Sequence, residues 1–188
     1  MRNLDEELVK RLVDKVVALV EAENKAVVEG DKPTVLAVFT GCHGDPGPAL
    51  EQVAGLKVSH FVVAAASPGA METIGTERIA RSAHSLASPG ELHALVEKSM
   101  AVVFPTLSQN TAARGAWGLR DSLPSEAMAW ALKKGIPVVA CRDWVCPGEG
   151  KDPYSLFIGG MLKKLEVFGV RFCSCSRLGE TVSGAGKG

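Results

Sequence analysis

Chemistry-bearing side chains gather in four short stretches of this 188-residue chain, the densest being Pro105-Thr106-Leu107-Ser108-Gln109-Asn110-Thr111. It follows the apolar run 100–104, so a strand delivers a proline, hydroxyls and an amide into a bend. A helix-compatible segment follows, containing Gly115, Gly118 and the Asp121-Ser122-Leu123 step. Short polar side chains at the carboxyl end of a strand can meet exposed helix N–H groups, where phosphates and cofactor heterocycles bind. The plainer reading is a Ser/Thr/Asn cap that ends one element and starts another. The other stretches are residues 40–47, 67–70 and 141–148, each closing an apolar run. Four polar or glycine-rich strand ends on one rim argue for a bound ligand more strongly than any single loop does.

Such a rim needs a sheet to carry it. Strands are expected at 34–39, 58–65, 101–104, 136–140 and 167–172, with helices at 49–56, 89–98 and 123–134 between them. Another helix, at 154–164, is expected to be interrupted by Gly159-Gly160. Alternation of short apolar strands with helices gives an α/β fold of three layers, a Rossmann-like parallel sheet flanked by helices. Residues 1–30 form a separate N-terminal segment, whose 4–24 stretch reads as an amphipathic helix through Leu8, Leu12 and Val16. The α/β domain then runs over 31–178, and residues 179–188, rich in glycine and serine, are expected to be a flexible tail.

Basic and acidic residues balance at 21 each, and 46% of the chain is apolar, so no electrostatic bias favours nucleic acid or anionic membrane. The charged N-terminus does not read as a secretory signal, and no apolar run approaches the roughly 20 residues that span a bilayer. The expected location is the cytoplasm. Five cysteines, Cys42, Cys141, Cys146, Cys173 and Cys175, make no disulfide framework and read as free thiols, with no metal assigned. Cys42, near a helix start, is expected to have a lowered thiol pKa. His60 is expected to be packed and His84 to face solvent from a connector. Neither the G-x-G-x-x-G fingerprint nor a G-x-x-x-x-G-K-[ST] loop occurs, which disfavours NAD and nucleoside triphosphates.

The 105–111 stretch, taken with Gly118-Leu119-Arg120-Asp121-Ser122-Leu123, resembles the Pro-Ala-Ser-x-Asn-Thr loop and Gly-x-x-Asp-Asn-Leu step of a flavoprotein family. That family is the homo-oligomeric flavin-containing cysteine decarboxylases, with phosphopantothenoylcysteine decarboxylase and flavin prenyltransferase among its members. The resemblance covers about residues 34–147. It implies a flavoprotein fold with FMN bound between subunits of a homo-oligomer, a trimer or a multiple of one. Carried over, Ser108, Asn110 and Thr111 meet the FMN phosphate or ring edge, and Pro105 and Thr106 shape the floor. Asp121 and Ser122 close the rim, Thr40, Gly41 and Cys42 begin the phosphate loop, and Ser67 lies near the flavin. Arg142, in an Arg-Asp step resembling the Arg-Glu pair of the prenyltransferases, could grip a phosphate.

The chain also departs from that pattern. Decarboxylating members place a histidine about fourteen residues before the loop proline, where this sequence has Glu91, with His93 two positions on. Without that histidine the expected activity is redox: an oxidoreductase passing electrons from FMN to a partner protein or small acceptor. The alternatives are decarboxylation of a cysteine-containing substrate, flavin prenyl transfer, and a non-catalytic α/β interaction protein.

Overall fold

The computed structural model describes residues 32–145 and 152–185. The amphipathic helix expected at 4–24 lies outside them, as does Cys146. Six strands form one parallel sheet: β1 (Thr34–Phe39), β2 (Phe61–Ala66), β3 (Ser85–Leu86), β4 (Ser99–Phe104), β5 (Val138–Cys141) and β6 (Val170–Cys173). Their order across the sheet is β3-β2-β1-β4-β5-β6. The chain winds outward from β1 to β3, returns to set β4 beside β1, and winds outward again to β6. The direction of winding reverses between β1 and β4, where a parallel sheet opens its crevice.

The inner strands are apolar on both faces because helices cover both. Along β1, Val35, Ala37 and Phe39 enter one core, while Leu36 and Val38 enter the other. The first core is closed by α1 (Gly47–Leu56), by the helical stretch after β2, and by α8 (Leu178–Ala185). The second is closed by α4 (Leu92–Lys98), α5 (Gln109–Ala116), α6 (Leu123–Lys134) and α7 (Pro153–Val167). The three-layer Rossmann-like architecture expected from alternation is the one observed.

Three local expectations are corrected. The tail is helical through Ala185, because Leu178, Val182 and Ala185, spaced by four and three, bury one face of α8 in the first core. Gly159 and Gly160 do not interrupt α7. Its first turn is fixed by Asp152, whose carboxylate accepts from the N–H groups of Tyr154 and Ser155 at 3.0 Å, and Ile158, Met161 and Leu165 anchor it. The second strand begins at Phe61 rather than Val58, which stays exposed after α1 ends. The stretch after β2 is α2 (Pro68–Ala70), a π-turn (Met71–Gly75) and α3 (Thr76–Ser82), and Gly75 takes the break at φ +96°.

Candidate functional site

The crevice between β1 and β4 is built around a pair of threonines. The Thr40 hydroxyl donates to the Thr106 carbonyl at 2.6 Å, and the Thr106 hydroxyl donates to the Thr40 carbonyl at 2.9 Å. The Thr40 N–H reaches the Thr106 hydroxyl at 3.1 Å, and the Ser108 N–H reaches the Thr40 hydroxyl at 2.7 Å. Both side chains are buried, with Pro105 and Leu107 beside them, so these residues form a floor and fix the gap between the loops. Above the floor the chain turns into α5. Ser108 caps it, accepting from the Thr111 N–H at 3.2 Å and donating to the Thr111 hydroxyl at 3.0 Å. Both readings of the 105–111 stretch therefore meet in one place, since the cap of α5 also faces a cleft.

Two adjoining hollows open over this point, of about 710 and 360 Å³, sharing Gly41, Cys42, His43, Ser108 and Asn110. The smaller adds Ser67, Thr111, Arg114 and Ser122, and the larger adds Asp143, Trp144, Tyr154 and Phe157. The loops after β1 and β2 approach so closely that a Cβ on Gly41 would lie 3.1 Å from the Gly69 carbonyl oxygen, so a side chain there would press the two loops apart by a few tenths of an ångström. Ser67 caps α2, accepting from the Ala70 N–H at 3.2 Å. Thr73 ties the loops together: its hydroxyl donates to the Gly69 carbonyl at 2.7 Å and accepts from the Cys42 N–H at 3.4 Å.

Of the residues singled out from sequence, Gly41, Cys42, Ser67, Ser108, Asn110, Thr111 and Ser122 line these hollows. Thr40, Pro105 and Thr106 lie beneath them. Asp121 is turned away into a separate hollow of about 380 Å³ with Arg120 and Glu126, and pairs with Arg114 at 2.8 Å. Arg142 is exposed and is not among the lining residues, while the adjacent Asp143 is. Burial raises the Cys42 thiol, against the expected lowering, because α1 begins only at Gly47 and the thiol sits in the core. Sequence reasoning missed Thr73, Gln109 and the α7 wall. Gln109 bridges that wall, donating to the Val145 carbonyl at 3.2 Å and accepting from the Tyr154 hydroxyl at 2.9 Å. No local signal in the 153–167 stretch placed it opposite the 108–110 loop.

Glu91 and His93 lie outside both hollows. The Glu91 carboxylate accepts from the Ser88 hydroxyl and N–H at 2.8 and 3.1 Å, a capping box that holds it below the usual carboxylate range. His93 stacks on Trp130 at 4.6 Å and lies 2.6 Å from the Glu126 carboxylate. His60 is packed as expected. His84 is not a solvent-facing loop residue: it accepts the Val62 N–H at 3.0 Å and stacks on Phe61.

No protein-family model matches the chain, and no curated protein is similar to it in sequence. Solved structures do match over most of its length. AnUbiX (PadA1), in complex with FMN and dimethylallyl pyrophosphate, aligns at TM-score 0.60 and 15% identity over 75% of this chain and 77% of that one. Burkholderia xenovorans DmrB, described as a cubic protein cage for redox transfer, aligns at 0.61 and 20% over 82% and 97%. The dodecameric FMN-dependent UbiX-like decarboxylase of Escherichia coli O157:H7 aligns at 0.60 and 17% over 74% and 78%. The chain thus has the fold of the UbiX-like and cysteine decarboxylase structures, as its loop resemblance implied. Matching structures named for a catalysed reaction are decarboxylases, including TvaF and EpiD, and this overturns the expected oxidoreductase working by electron transfer. Among the described residues, no helix is long and apolar enough to cross a membrane.

Proposed function

We propose that the cleft over the β1–β4 switch binds FMN and that the protein is a flavin-dependent decarboxylase of a cysteine-containing substrate. The carrying observation is the donor set at that switch: the capped N-terminus of α5, Ser67, Ser108, Asn110 and the close backbone approach of Gly41 to Gly69, in the fold of FMN-dependent decarboxylases. Hydroxyls, an amide and helix N–H groups suit a phosphate dianion, with Arg114, itself paired with Asp121, at the edge of the smaller hollow. Ser67, Ser108, Thr111 and Asn110 would hold the phosphate and ring edge, and Trp144, Tyr154 and Phe157 would form an apolar wall for the ring or substrate. When bound, FMN would supply electron-accepting chemistry.

What the chain itself must add is a proton-handling group. Glu91 is committed to its cap and His93 to Glu126, so neither faces the cleft. His43 lines both hollows, and Asp143 and Tyr154 line the larger. His43 is therefore assigned the acid–base role that a histidine before β4 has in the resembled enzymes. Supporting this reading, several matching structures are decarboxylases of cysteine-type substrates, TvaF and EpiD among them. Assembly follows the same reading: a homo-oligomer, a trimer or a multiple, with FMN at the interface, consistent with the dodecamer and the cage among the matching structures.

The test is to incubate the purified protein with excess FMN, record its visible spectrum, and assay cysteine-terminated peptides and phosphopantothenoylcysteine for CO2 release. Bound flavin with CO2 release is the expected outcome. No flavin uptake would refute the cofactor reading, and flavin uptake without CO2 from either substrate would refute the reaction. His43→Gln is expected to lower turnover by about 10²- to 10⁴-fold while flavin stays bound.

A further inference from the structure

Three buried thiols lie behind the Asp143–Trp144 wall of the cleft, and nothing in the proposed reaction uses them. Cys141 ends β5 directly opposite Cys173 at the end of β6, and Cys175 follows two residues later. All three enter the same core layer. In-register neighbours on parallel strands are about 4.8 Å apart, inside the window of about 4.4–6.8 Å over which a disulfide can close. All three are free thiols, with Cys141 fully buried and Cys173 the most accessible at 9%. Hydrogen bonds from the Cys141 thiol to the other two sulfurs raise its own pKa and bring Cys173 down to about 7. Among the described residues, no group of three His, Cys, Asp or Glu side chains could hold a metal ion.

We propose that these cysteines form a thiol–disulfide exchange site, in which Cys173 reacts with a small oxidised disulfide and Cys141 resolves the product into a Cys141–Cys173 bridge. In the first step the Cys173 thiolate attacks one sulfur of a disulfide such as oxidised glutathione, forming a mixed disulfide and expelling one thiolate. In the second, Cys141 attacks Cys173 Sγ and expels the second thiolate, which takes the Cys141 proton as it leaves. Two protein thiols lose two electrons and the small disulfide gains them, leaving as two thiols.

The site is coupled to the cleft through one hydrogen bond. The Cys175 N–H donates to Asp143 Oδ2 at 2.8 Å, tying the turn after β6 to the loop that carries Trp144 into the larger hollow. A covalent bond between the ends of β5 and β6 acts at the root of both segments, so oxidation is expected to shift Trp144.

The experiment uses the full reduced chain, treated with oxidised glutathione and quenched in acid. Trypsin cuts after Lys134, Arg142, Arg171 and Arg177, which puts Cys141 in one peptide and Cys173 with Cys175 in another. The expected result is a linked pair of peptides, 135–142 with 172–177, lost on treatment with dithiothreitol. Cys141→Ser should stop the reaction at a glutathione adduct on Cys173. Should that variant fail to fold by circular dichroism, Cys173→Ser must abolish both adduct and link. Cys42→Ser and Cys146→Ser should leave the link intact. A bridge confined to Cys173 and Cys175, a link through Cys42, or an adduct that persists with Cys141 present would overturn the proposal. In a Trp117→Phe/Trp130→Phe background, the Trp144 emission should shift on oxidation and return on reduction, and a linked product with unchanged emission would overturn the coupling. None of these readouts requires flavin to bind.

Discussion

Asn110 stands in the first turn of α5 at the junction of both hollows, and its amide is the most direct test of the cleft. Asn110→Ala is expected to weaken FMN binding by about 1–3 kcal/mol, the loss of a hydrogen bond to a charged group, measured by flavin fluorescence titration. The floor answers differently. Thr106→Val preserves shape but strips the hydroxyl that serves the Thr40 N–H and carbonyl, so the fold should lose about 1–3 kcal/mol, read from the urea midpoint. Glu126 gives a pH signature. Arg120, donating from Nε at 2.7 Å, together with His93 holds its carboxyl at about 2, against an ordinary value of 4.5. Because the folded value is the lower one, folding favours the ionised form. Its contribution is fully present above about pH 5 and fades as the pH falls through the ordinary value toward 2. The stability gap between the natural protein and Glu126→Gln should therefore be constant near neutrality and close in acid. A gap that stays open at the lowest pH would contradict this assignment.

At the scale of elements, Gly115 is the most closely packed glycine of the second layer. A Cβ there would lie 2.5 Å from Met128 Sδ and 3.2 Å from Leu165 Cδ2, so a side chain on α5 at this point would force Met128 out of its place between α5 and α6. Gly115→Ala should cost about 1–3 kcal/mol by overpacking despite its better helix propensity, and thermal unfolding measures the balance. What sequence could show of these elements follows from how local the signals were. The strands β1, β4 and β5 were legible because continuous apolar runs are what a sheet covered on both faces needs. Ser108 was legible as a cap because a hydroxyl before a helix has a local meaning. By contrast, the α8 sequence reads as a loose tail because Gly, Ser and Ala have weak helix signals, and only the long-range burial of Val182 and Ala185 decides their state. The site divides the same way. The 105–111 loop announced itself, whereas Thr73, Gln109 and Tyr154 act through partners 31, 36 and 45 residues away, a distance no local pattern encodes.

On the scale of the whole molecule, the face beside the cleft is apolar and open. Tyr154, Leu156 and Phe157 of α7 are 59%, 64% and 53% exposed, and Trp117 and Leu119 add further apolar area. A monomer seldom leaves such side chains together in water, and closed symmetry is the usual way to cover them. Light scattering is expected to show a trimer or a multiple of one, and Leu156→Glu should shift the population toward smaller species. A stable monomer carrying a full complement of flavin would contradict the interface reading.

The mutual hydrogen bonds of Thr40 and Thr106 have a kinetic consequence. Two loops 66 residues apart in sequence are locked together by groups that no ligand needs to touch, so the floor of the cleft is preorganised. Little conformational entropy is then left to lose at that floor during capture, and association there needs no rearrangement beforehand. Substitutions along the rim should consequently leave the association rate nearly constant and act on residence time. Loosening the threonine pair should instead slow capture itself, a difference that stopped-flow measurement of flavin uptake and release would resolve.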